Sequence, residues 1–240
     1  MIRSLRTYGY LFGYLPISLP LLRKVRKLPE GLSPEARDEQ VDQYPRHWAK
    51  GILKRTGSTI DVQGLEHLID GPAMLISNHE GNFDIPTLIA TLPKPFGFIS
   101  KVEVKKLPVI RDWMEEMNCI FLDRTDRRSA MQVLKDAEES LRAGHSLVMF
   151  PEGTRSQGKG MGTFKSGFAK IAKDAEVAVI PIALSGTSDI MEKNNNRIRP
   201  SDVKVRVLQP FTVEEVKRMT RKELVEKAER RIREALETMN

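Results

Sequence analysis

His79 and Asp84 are the two residues whose types and spacing most directly suggest chemistry. A neutral imidazole can accept a proton near pH 7, and a carboxylate on its other ring nitrogen would fix the tautomer and stabilise the imidazolium that forms. On an ideal helix, five residues separate two side chains by about 140°, so the pair needs a turn in order to converge. Gly81 and Asn82 tolerate turn conformations. The simpler alternative is a turn histidine followed by an aspartate that caps a helix.

Two arginines lie after other apolar runs and suit the binding of a phosphate group. Arg124 and Arg155 each follow such a run by a few residues. Guanidinium groups bind phosphate through paired hydrogen bonds, and backbone N–H groups around Gly153 and Thr154 would add contacts to an anion. A base beside such a site favours a reaction in which a substrate hydroxyl is activated while its phosphate anchors it.

Apolar runs with the length of strands alternate with helical segments from residue 59 onward. Strands are predicted at 59–63, 73–76, 96–100, 119–122, 146–150, 177–184 and 203–208. Helices are predicted at 85–91, at 109–117, along the apolar stripe from Met131 to Leu141, and at 213–239. This alternation predicts an α/β fold with a mixed, largely parallel sheet flanked by helices. His79, Arg124 and Arg155 then follow the carboxyl ends of strands, where open α/β sheets place their sites.

Prolines and glycines mark two further local features. Ser33 followed by Pro34 predicts the start of a helix, which we expect to end near Gly57. Pro181 interrupts an otherwise apolar strand and suggests either a sheet edge or a bulge.

The N-terminal region contains an uncharged run at 7–22 that is bounded by basic residues on both sides. As a helix, 16 residues reach about 24 Å, which is short of a hydrocarbon core of about 30 Å. We therefore predict an apolar helical segment that associates with a membrane, with a cationic collar for anionic headgroups. The alternative is a helix that packs on the domain itself. The predicted division is 1–57 for the membrane-associating helices and 58–240 for the α/β domain.

The composition favours a globular protein with anionic partners. The 240 residues include 39 basic and 32 acidic side chains, which gives a formal charge of +7. Such a balance suits phosphate groups, anionic lipid or nucleic acid, but only 6% of residues are aromatic and no basic-aromatic repeat occurs, so nucleic acid is the weaker expectation. The single cysteine, Cys119, excludes a disulfide within the chain and suits a reducing compartment.

Other reaction classes are disfavoured by what their motifs lack. The loop at 153–159 matches a GxxxxGK phosphate-binding pattern, but Gly160 stands where a serine or threonine should bind the metal. The chain has no GxSxG segment for a serine hydrolase, and Phe83 stands where the HExxH pattern of a zinc protease needs its second histidine. Cys119 lies in an apolar run and is predicted to be a core residue. We predict neither a metal site nor a bound cofactor.

Four segments appear in the order in which the glycerolipid acyltransferases carry them. They are NHEGNFD at 78–84, IFLDR at 120–124, FPEGTRS at 150–156 and VIPI at 179–182. Over residues 73–184 the chain resembles this HxxxxD acyltransferase family, in particular the bacterial 1-acyl-sn-glycerol-3-phosphate acyltransferases. The resemblance implies that His79 is a general base supported by Asp84. It implies an acceptor-binding site formed by Lys101, Arg124, Glu152, Gly153, Thr154 and Arg155.

Two positions differ from the commoner form of these motifs. Glu80 and Gly81 follow the histidine where Gln-Ser is usual, and an extra carboxylate there is expected to favour the protonated imidazole. Asn118 stands where the second motif usually opens with glycine, and asparagine also tolerates turn geometry.

The resemblance implies transfer of a fatty acyl group to the 2-hydroxyl of 1-acylglycerol 3-phosphate, giving phosphatidic acid. The donor would be a thioester of coenzyme A or of acyl carrier protein, and the enzyme would lie at the cytoplasmic face of the cell membrane as a monotopic or peripheral protein. Expected partners are the lipid acceptor, the donor and an anionic membrane surface, without nucleic acid. Three alternatives stay open: an acyltransferase with another acceptor, such as glycerol 3-phosphate or another lysophospholipid, a lipid hydrolase, or a non-enzymatic membrane-binding module.

Overall fold

The structure, a computed structural model, describes residues 2–123 and 125–239. Seven strands within these residues form one sheet. They are β1 (Thr59–Gln63), β2 (Ala73–Ser77), β3 (Gly97–Lys101), β4 (Ile120–Leu122), β5 (Leu147–Met149), β6 (Ala178–Ser185) and β7 (Asp202–Val207). Their order across the sheet is β1-β7-β6-β2-β5-β3-β4.

Strand direction divides the sheet into a large parallel part and a small reversed part. Only the pairing of β6 with β7 is antiparallel, and the other neighbouring pairs are parallel. Strands β1 and β7 therefore run opposite to the other five. The central strand β2 is buried along its whole length, as expected where helices cover both faces of a sheet. The predicted mixed, largely parallel α/β fold is confirmed.

The described residues contain nine α-helices. They are α1 (Ile2–Ile17), α2 (Leu19–Val25), α3 (Pro34–Thr56), α4 (Asp84–Thr91), α5 (Pro108–Glu116), α6 (Arg127–Arg142), α7 (Gly167–Ala175), α8 (Val213–Arg218) and α9 (Arg221–Met239). Helices α3 and α4 pack on the face that carries Leu75, and α6, α7, α8 and α9 pack on the face that carries Met74 and Ile76. The alternation of β2 side chains thus supplies both cores.

The predicted bounds of α3 are confirmed. The Ser33 hydroxyl accepts a hydrogen bond from the Ala36 N–H at 3.2 Å, and Pro34 takes the first helical position. Gly57 adopts φ +73° at the other end, a conformation that favours glycine.

Two predicted helical patterns need correction. The single helix expected at 213–239 is two helices, because Met219 is extended and Thr220 caps α9 by accepting the Glu223 N–H at 3.2 Å. In α6 the predicted apolar stripe began at Met131, but that side chain is 60% exposed. The buried stripe consists of Val133, Ala137 and Leu141, so it starts two residues later.

Pro181 lies inside the sheet, so the edge interpretation is wrong. Strand β6 has β2 on one side and β7 on the other. Ile182 pairs with Val207, whereas Val179 pairs with Phe211, so three steps along β6 match four steps along its partner. The extra residue is a bulge, the second predicted interpretation, at a place where proline's missing N–H is tolerated.

The N-terminal helices pack on the rest of the molecule with their inner side. The Arg55 guanidinium lies 3.6 Å from the centroid of the Tyr10 ring, and the Trp113 indole donates to the Ser18 hydroxyl at 2.9 Å. This inner side therefore packs on the domain, as the alternative prediction for the N-terminal segment stated. The outer side leaves apolar residues exposed by 57–75%, namely Ile2, Leu5, Phe12 and Ile17. Among the described helices, none is both long enough and apolar enough to cross a bilayer.

Candidate active site

His79 and Asp84 converge across the turn that joins β2 to α4. His79 lies two residues beyond the end of β2, and Asp84 is the first residue of α4. The His79 Nδ1 is 2.6 Å from Asp84 Oδ2. The same oxygen accepts the backbone N–H groups of Glu80 at 2.7 Å and Gly81 at 3.1 Å. The aspartate thus stabilises the turn before α4 and orients the imidazole, but it does not cap the helix, because Phe83 is the N-cap residue and no side chain makes a capping bond there.

The imidazole ring is held flat against an aromatic side chain. Phe150 stacks on the ring of His79 with centroids 4.0 Å apart and an interplanar angle of 14°. Phe98 lies beyond Phe150 at 6.4 Å, also at 14°. Nδ1 is engaged by Asp84, Nε2 has no hydrogen-bond partner among the described residues, and the side chain is 17% exposed. Nε2 is therefore the atom that can accept a proton.

Glu152 fixes the position of the His79 backbone. One carboxylate oxygen accepts the His79 N–H at 2.7 Å, and the other accepts the Gly162 N–H at 2.7 Å. The residue is buried, and desolvation raises the pKa of its carboxyl although both N–H donors oppose the rise. Each carboxylate oxygen thus accepts a backbone N–H, and Glu152 connects the His79 turn to the loop that contains Arg155.

The loop that carries Arg155 runs beside the His79 turn. The Ser156 N–H donates to the His79 carbonyl at 2.8 Å, and the Gln157 N–H donates to the Glu80 carbonyl at 2.9 Å. The exposed Arg155 donates from its guanidinium to the Asn82 side-chain oxygen.

The remaining predicted binding residues have different relations to this surface. Gly153, at φ +73°, and the exposed Thr154 precede Arg155 in the same loop. Lys101 is the exposed last residue of β3. Strand β5 lies between β2 and β3. Lys101 therefore lies at the same end of the sheet as the His79 turn, about two strand spacings or 10 Å away. Arg124 lies outside the described residues. Strand β4, which precedes it, terminates at this same end of the sheet.

Thr187 and Ser188 belong to the site although no sequence motif indicated them. The Thr187 hydroxyl donates to Asp84 Oδ1, the carboxylate oxygen that His79 does not use. The Glu80 carboxylate does not reach the imidazole; its Oε2 lies 3.1 Å from Thr187 Oγ1 and 3.3 Å from the Ser188 nitrogen. Burial and the nearby charge of Asp84 raise the pKa of Glu80.

An apolar cavity of about 340 Å³ opens next to the dyad. Its walls come from α1, α3, α4, α5, β3 and the loops beside them. The lining side chains nearest the site are Asn82, Ile85 and Phe98. Asn82 also holds Arg155, and Phe98 flanks the ring that stacks on His79. The volume falls in the usual range for pockets that bind small molecules.

Cys119 is a core residue, as predicted. Its thiol is buried and accepts the Phe98 N–H at 3.1 Å. Burial raises the pKa of Cys119 to about 12, so the thiolate that nucleophilic chemistry needs does not form near neutral pH.

Comparison with known proteins decides the family. The family model described as Acyltransferase matches residues 59–185, which are 127 of the 240 residues. The chain belongs to the acyltransferase family. All four predicted motif segments lie within this matched region.

The relatives of this acyltransferase share a common description. The chain is 43% identical over 141 residues to the chloroplastic 1-acyl-sn-glycerol-3-phosphate acyltransferase LPAT1 of Arabidopsis thaliana, covering 58% of this chain and 39% of that protein. It is 38% identical over 180 residues to the chloroplastic BAT2 enzyme of the same description from Brassica napus, covering 71% and 52%. The chain thus spans 39% to 52% of the length of these two relatives.

One solved structure shares the whole fold. The crystal structure of the 1-acyl-sn-glycerophosphate acyltransferase PlsC from Thermotoga maritima matches with a TM-score of 0.85, covering 99% of this acyltransferase and 95% of that chain. The sequences are 24% identical, so this likeness shows the fold.

Proposed function

We propose that this acyltransferase moves a fatty acyl group from a thioester to the 2-hydroxyl of 1-acylglycerol 3-phosphate, giving phosphatidic acid. The observation that carries the proposal is the position of the His79–Asp84 pair between an apolar cavity and the Arg155 loop. The names of the relatives agree with this acceptor.

In the proposed reaction His79 acts as the general base. Nε2 takes the proton of the 2-hydroxyl as that oxygen attacks the thioester carbonyl, and Asp84 stabilises the imidazolium that forms. Collapse of the tetrahedral intermediate expels the thiolate, which receives the proton from His79. The acyl group passes directly from sulfur to oxygen, without a covalent acyl-enzyme, and we propose no metal or bound cofactor.

The acceptor phosphate is assigned to the surface that contains Arg155. Asn82 holds the guanidinium beside the His79 turn, which limits the conformational entropy lost when a phosphate binds. Backbone N–H groups of Gly153 and Thr154 and the ammonium of Lys101 are proposed to complete the site.

The acyl chain is assigned to the apolar cavity. A chain that enters past Asn82 and Phe98 would leave its thioester carbonyl near the His79 ring. The walls provide apolar surface for the methylenes, each of which contributes about 0.8 kcal/mol when it is buried.

We propose that the enzyme binds the cytoplasmic face of the cell membrane through α1. The exposed Ile2, Leu5 and Phe12 supply an apolar surface, and Arg23 and Lys24 lie at the end of α2 for contact with anionic headgroups. The same positive charge suits coenzyme A or acyl carrier protein, since both donors are anionic.

A thiol-release assay with acyl-CoA, repeated with the acyl thioester of acyl carrier protein, tests this function. We expect release that depends on lysophosphatidate and is matched by phosphatidic acid. Release without an acceptor indicates a hydrolase, and release only with glycerol 3-phosphate or a non-phosphorylated acylglycerol indicates a sibling acyltransferase. A folded, liposome-bound protein that releases no thiol with any of these would instead be a membrane-binding module.

A further inference from the structure

The buried Asp84 carboxylate is held from two strands, not one. Its Oδ2 receives His79 and two backbone N–H groups from the turn after β2. Its Oδ1 receives the hydroxyl of Thr187, which follows β6. Both Asp84 and Thr187 have no exposed surface, so water cannot replace this donor in the folded protein.

The chain after β6 is built to present Thr187 to Asp84. Gly186 adopts φ +88°, and a Cβ there would collide with the Asp202 carbonyl oxygen, so glycine is required at this turn. The Ser201 hydroxyl donates to the Gly186 carbonyl at 2.7 Å. The turn is therefore held in place independently of Asp84.

The ends of β2 and β6 are also joined directly. The Asn78 side chain donates to the Leu184 carbonyl and accepts the Leu184 N–H, each at 2.8 Å. This pair of bonds fixes Thr187 relative to the His79 turn.

The hydrogen bonds available to the Thr187 hydroxyl indicate the protonation state of Glu80. A hydroxyl has one proton to donate, and the Asp84 oxygen is nearer to Thr187 Oγ1 than Glu80 Oε2 is, at 3.1 Å. The contact with Glu80 is therefore a hydrogen bond only if Glu80 carries a proton and donates it. The charged groups near Glu80 are Asp84, whose charge raises the pKa of Glu80, and Lys193, whose charge lowers it, and burial makes the net shift upward.

We propose that Thr187 is a positioning residue for His79 and that Glu80, as a neutral acid, donates to it. One chain of hydrogen bonds then links Glu80, Thr187, Asp84 and His79. Its effect is to prevent rotation of the Asp84 carboxylate and to spread its charge over several donors. The carboxylate consequently keeps its position beside the imidazole and meets the positive charge that forms when His79 takes the proton. The kinetic part of this inference rests on the proposed function.

Histidine titration by NMR tests the chain without any substrate. In protein with labelled histidine, Thr187→Val should move the titration of the His79 ring to higher pH, because the Asp84 charge loses a donor. Thr187→Ser should restore it. The matched control is Thr87→Val, which also removes a buried hydroxyl, one with no hydrogen-bond partner among the described residues. An unmoved His79 titration in folded Thr187→Val overturns the proposal, whatever reaction the enzyme catalyses.

Acyl-transfer kinetics provide the second readout. Thr187→Val should lower kcat by about 10- to 100-fold, with the acceptor KM nearly unchanged, since supports of a reacting group have effects of this size. Thr187→Ser should recover most of the loss, and Thr87→Val should match the wild type. Equal kcat in Thr187→Val and Thr87→Val contradicts a positioning role.

Variants of Glu80 keep the proposal testable if Thr187→Val does not fold. A glutamine amide can donate to Thr187 as a neutral acid does, although it cannot accept the Ser188 N–H that lies 3.3 Å from Glu80 Oε2, so Glu80→Gln should retain clearly more kcat than Glu80→Ala. If Glu80→Gln is as impaired as Glu80→Ala, the site needs a carboxylate charge and the neutral-acid chain is wrong.

Discussion

The carboxylate of Glu152 accepts the backbone N–H of His79 at 2.7 Å, although the two residues are 73 positions apart. Glu152, in the loop after β5, thus holds His79, in the turn after β2. Because Glu152 also accepts the Gly162 N–H, the same carboxylate ties the Arg155 loop to the proposed general base.

Glu152→Gln should weaken this connection while keeping the size of the side chain. An amide nitrogen must then face one of the two part-buried N–H groups, which leaves that donor without its acceptor. We expect a loss of about 1–3 kcal/mol in the free energy of unfolding and a larger fall in kcat than rise in acceptor KM. Chemical denaturation and steady-state kinetics measure both, with the exposed Glu39→Gln as the control. An unchanged free energy of unfolding would show that the two hydrogen bonds of Glu152 contribute little to stability.

His79→Ala removes the proposed general base. Turnover should fall by about 10²- to 10⁴-fold, with a circular-dichroism spectrum that shows an intact fold. Asp84→Asn should also impair turnover, because an amide would disturb both the tautomer of His79 and the bonds to the Glu80 and Gly81 N–H groups. Near-full acyl transfer by folded His79→Ala would end the proposed mechanism.

Arg155→Ala tests the phosphate assignment. A hydrogen bond to a charged group contributes about 1.5–3 kcal/mol, so acceptor KM should rise by roughly 10- to 150-fold with a smaller change in kcat. Arg218→Ala, an exposed arginine on α8, is the matched control. An acceptor KM that does not change in Arg155→Ala would place the phosphate elsewhere.

Met114→Phe tests whether the apolar cavity receives the acyl chain. The larger side chain should occupy part of the volume and lower kcat/KM for long acyl donors relative to short ones, by about 10-fold or more for a chain that no longer fits. Met131→Phe changes an exposed methionine instead and should leave the ratio as it is. Identical acyl-chain-length profiles for the two variants would show that the acyl chain does not bind in this cavity.

Phe12→Asp tests the membrane surface on α1. This side chain is 57% exposed, and burial of a phenylalanine contributes about 1.5–3 kcal/mol. Binding to liposomes that contain anionic lipid should therefore weaken by at least about 10-fold in a sedimentation assay. Met131→Asp introduces the same charge at an exposed apolar position on α6 and serves as the control. Equal binding by both variants would locate the membrane contact elsewhere.

Much of the fold could be predicted from local patterns. The strand before His79, the turn at Gly81 and the start of α3 at Pro34 depend on residues that are close in sequence. Where a prediction failed, distant contacts had overridden the pattern. Met131 continues the helical stripe of α6 but is exposed, and Pro181 is accommodated inside the sheet by a bulge in its partner.

The acyltransferase motifs, the alternation of strands and helices, and the pairing of His79 with Asp84 could be predicted from the residues alone, because all of these depend on short spacings. The support that Glu152 and Thr187 give this pair, from the loops after β5 and β6, depends on the three-dimensional fold, since Thr187 lies 103 positions from Asp84. Only that fold forms an apolar cavity beside them. The physical reason is that hydrophobic periodicity specifies which face of an element is buried, whereas strand order decides which distant side chains meet there.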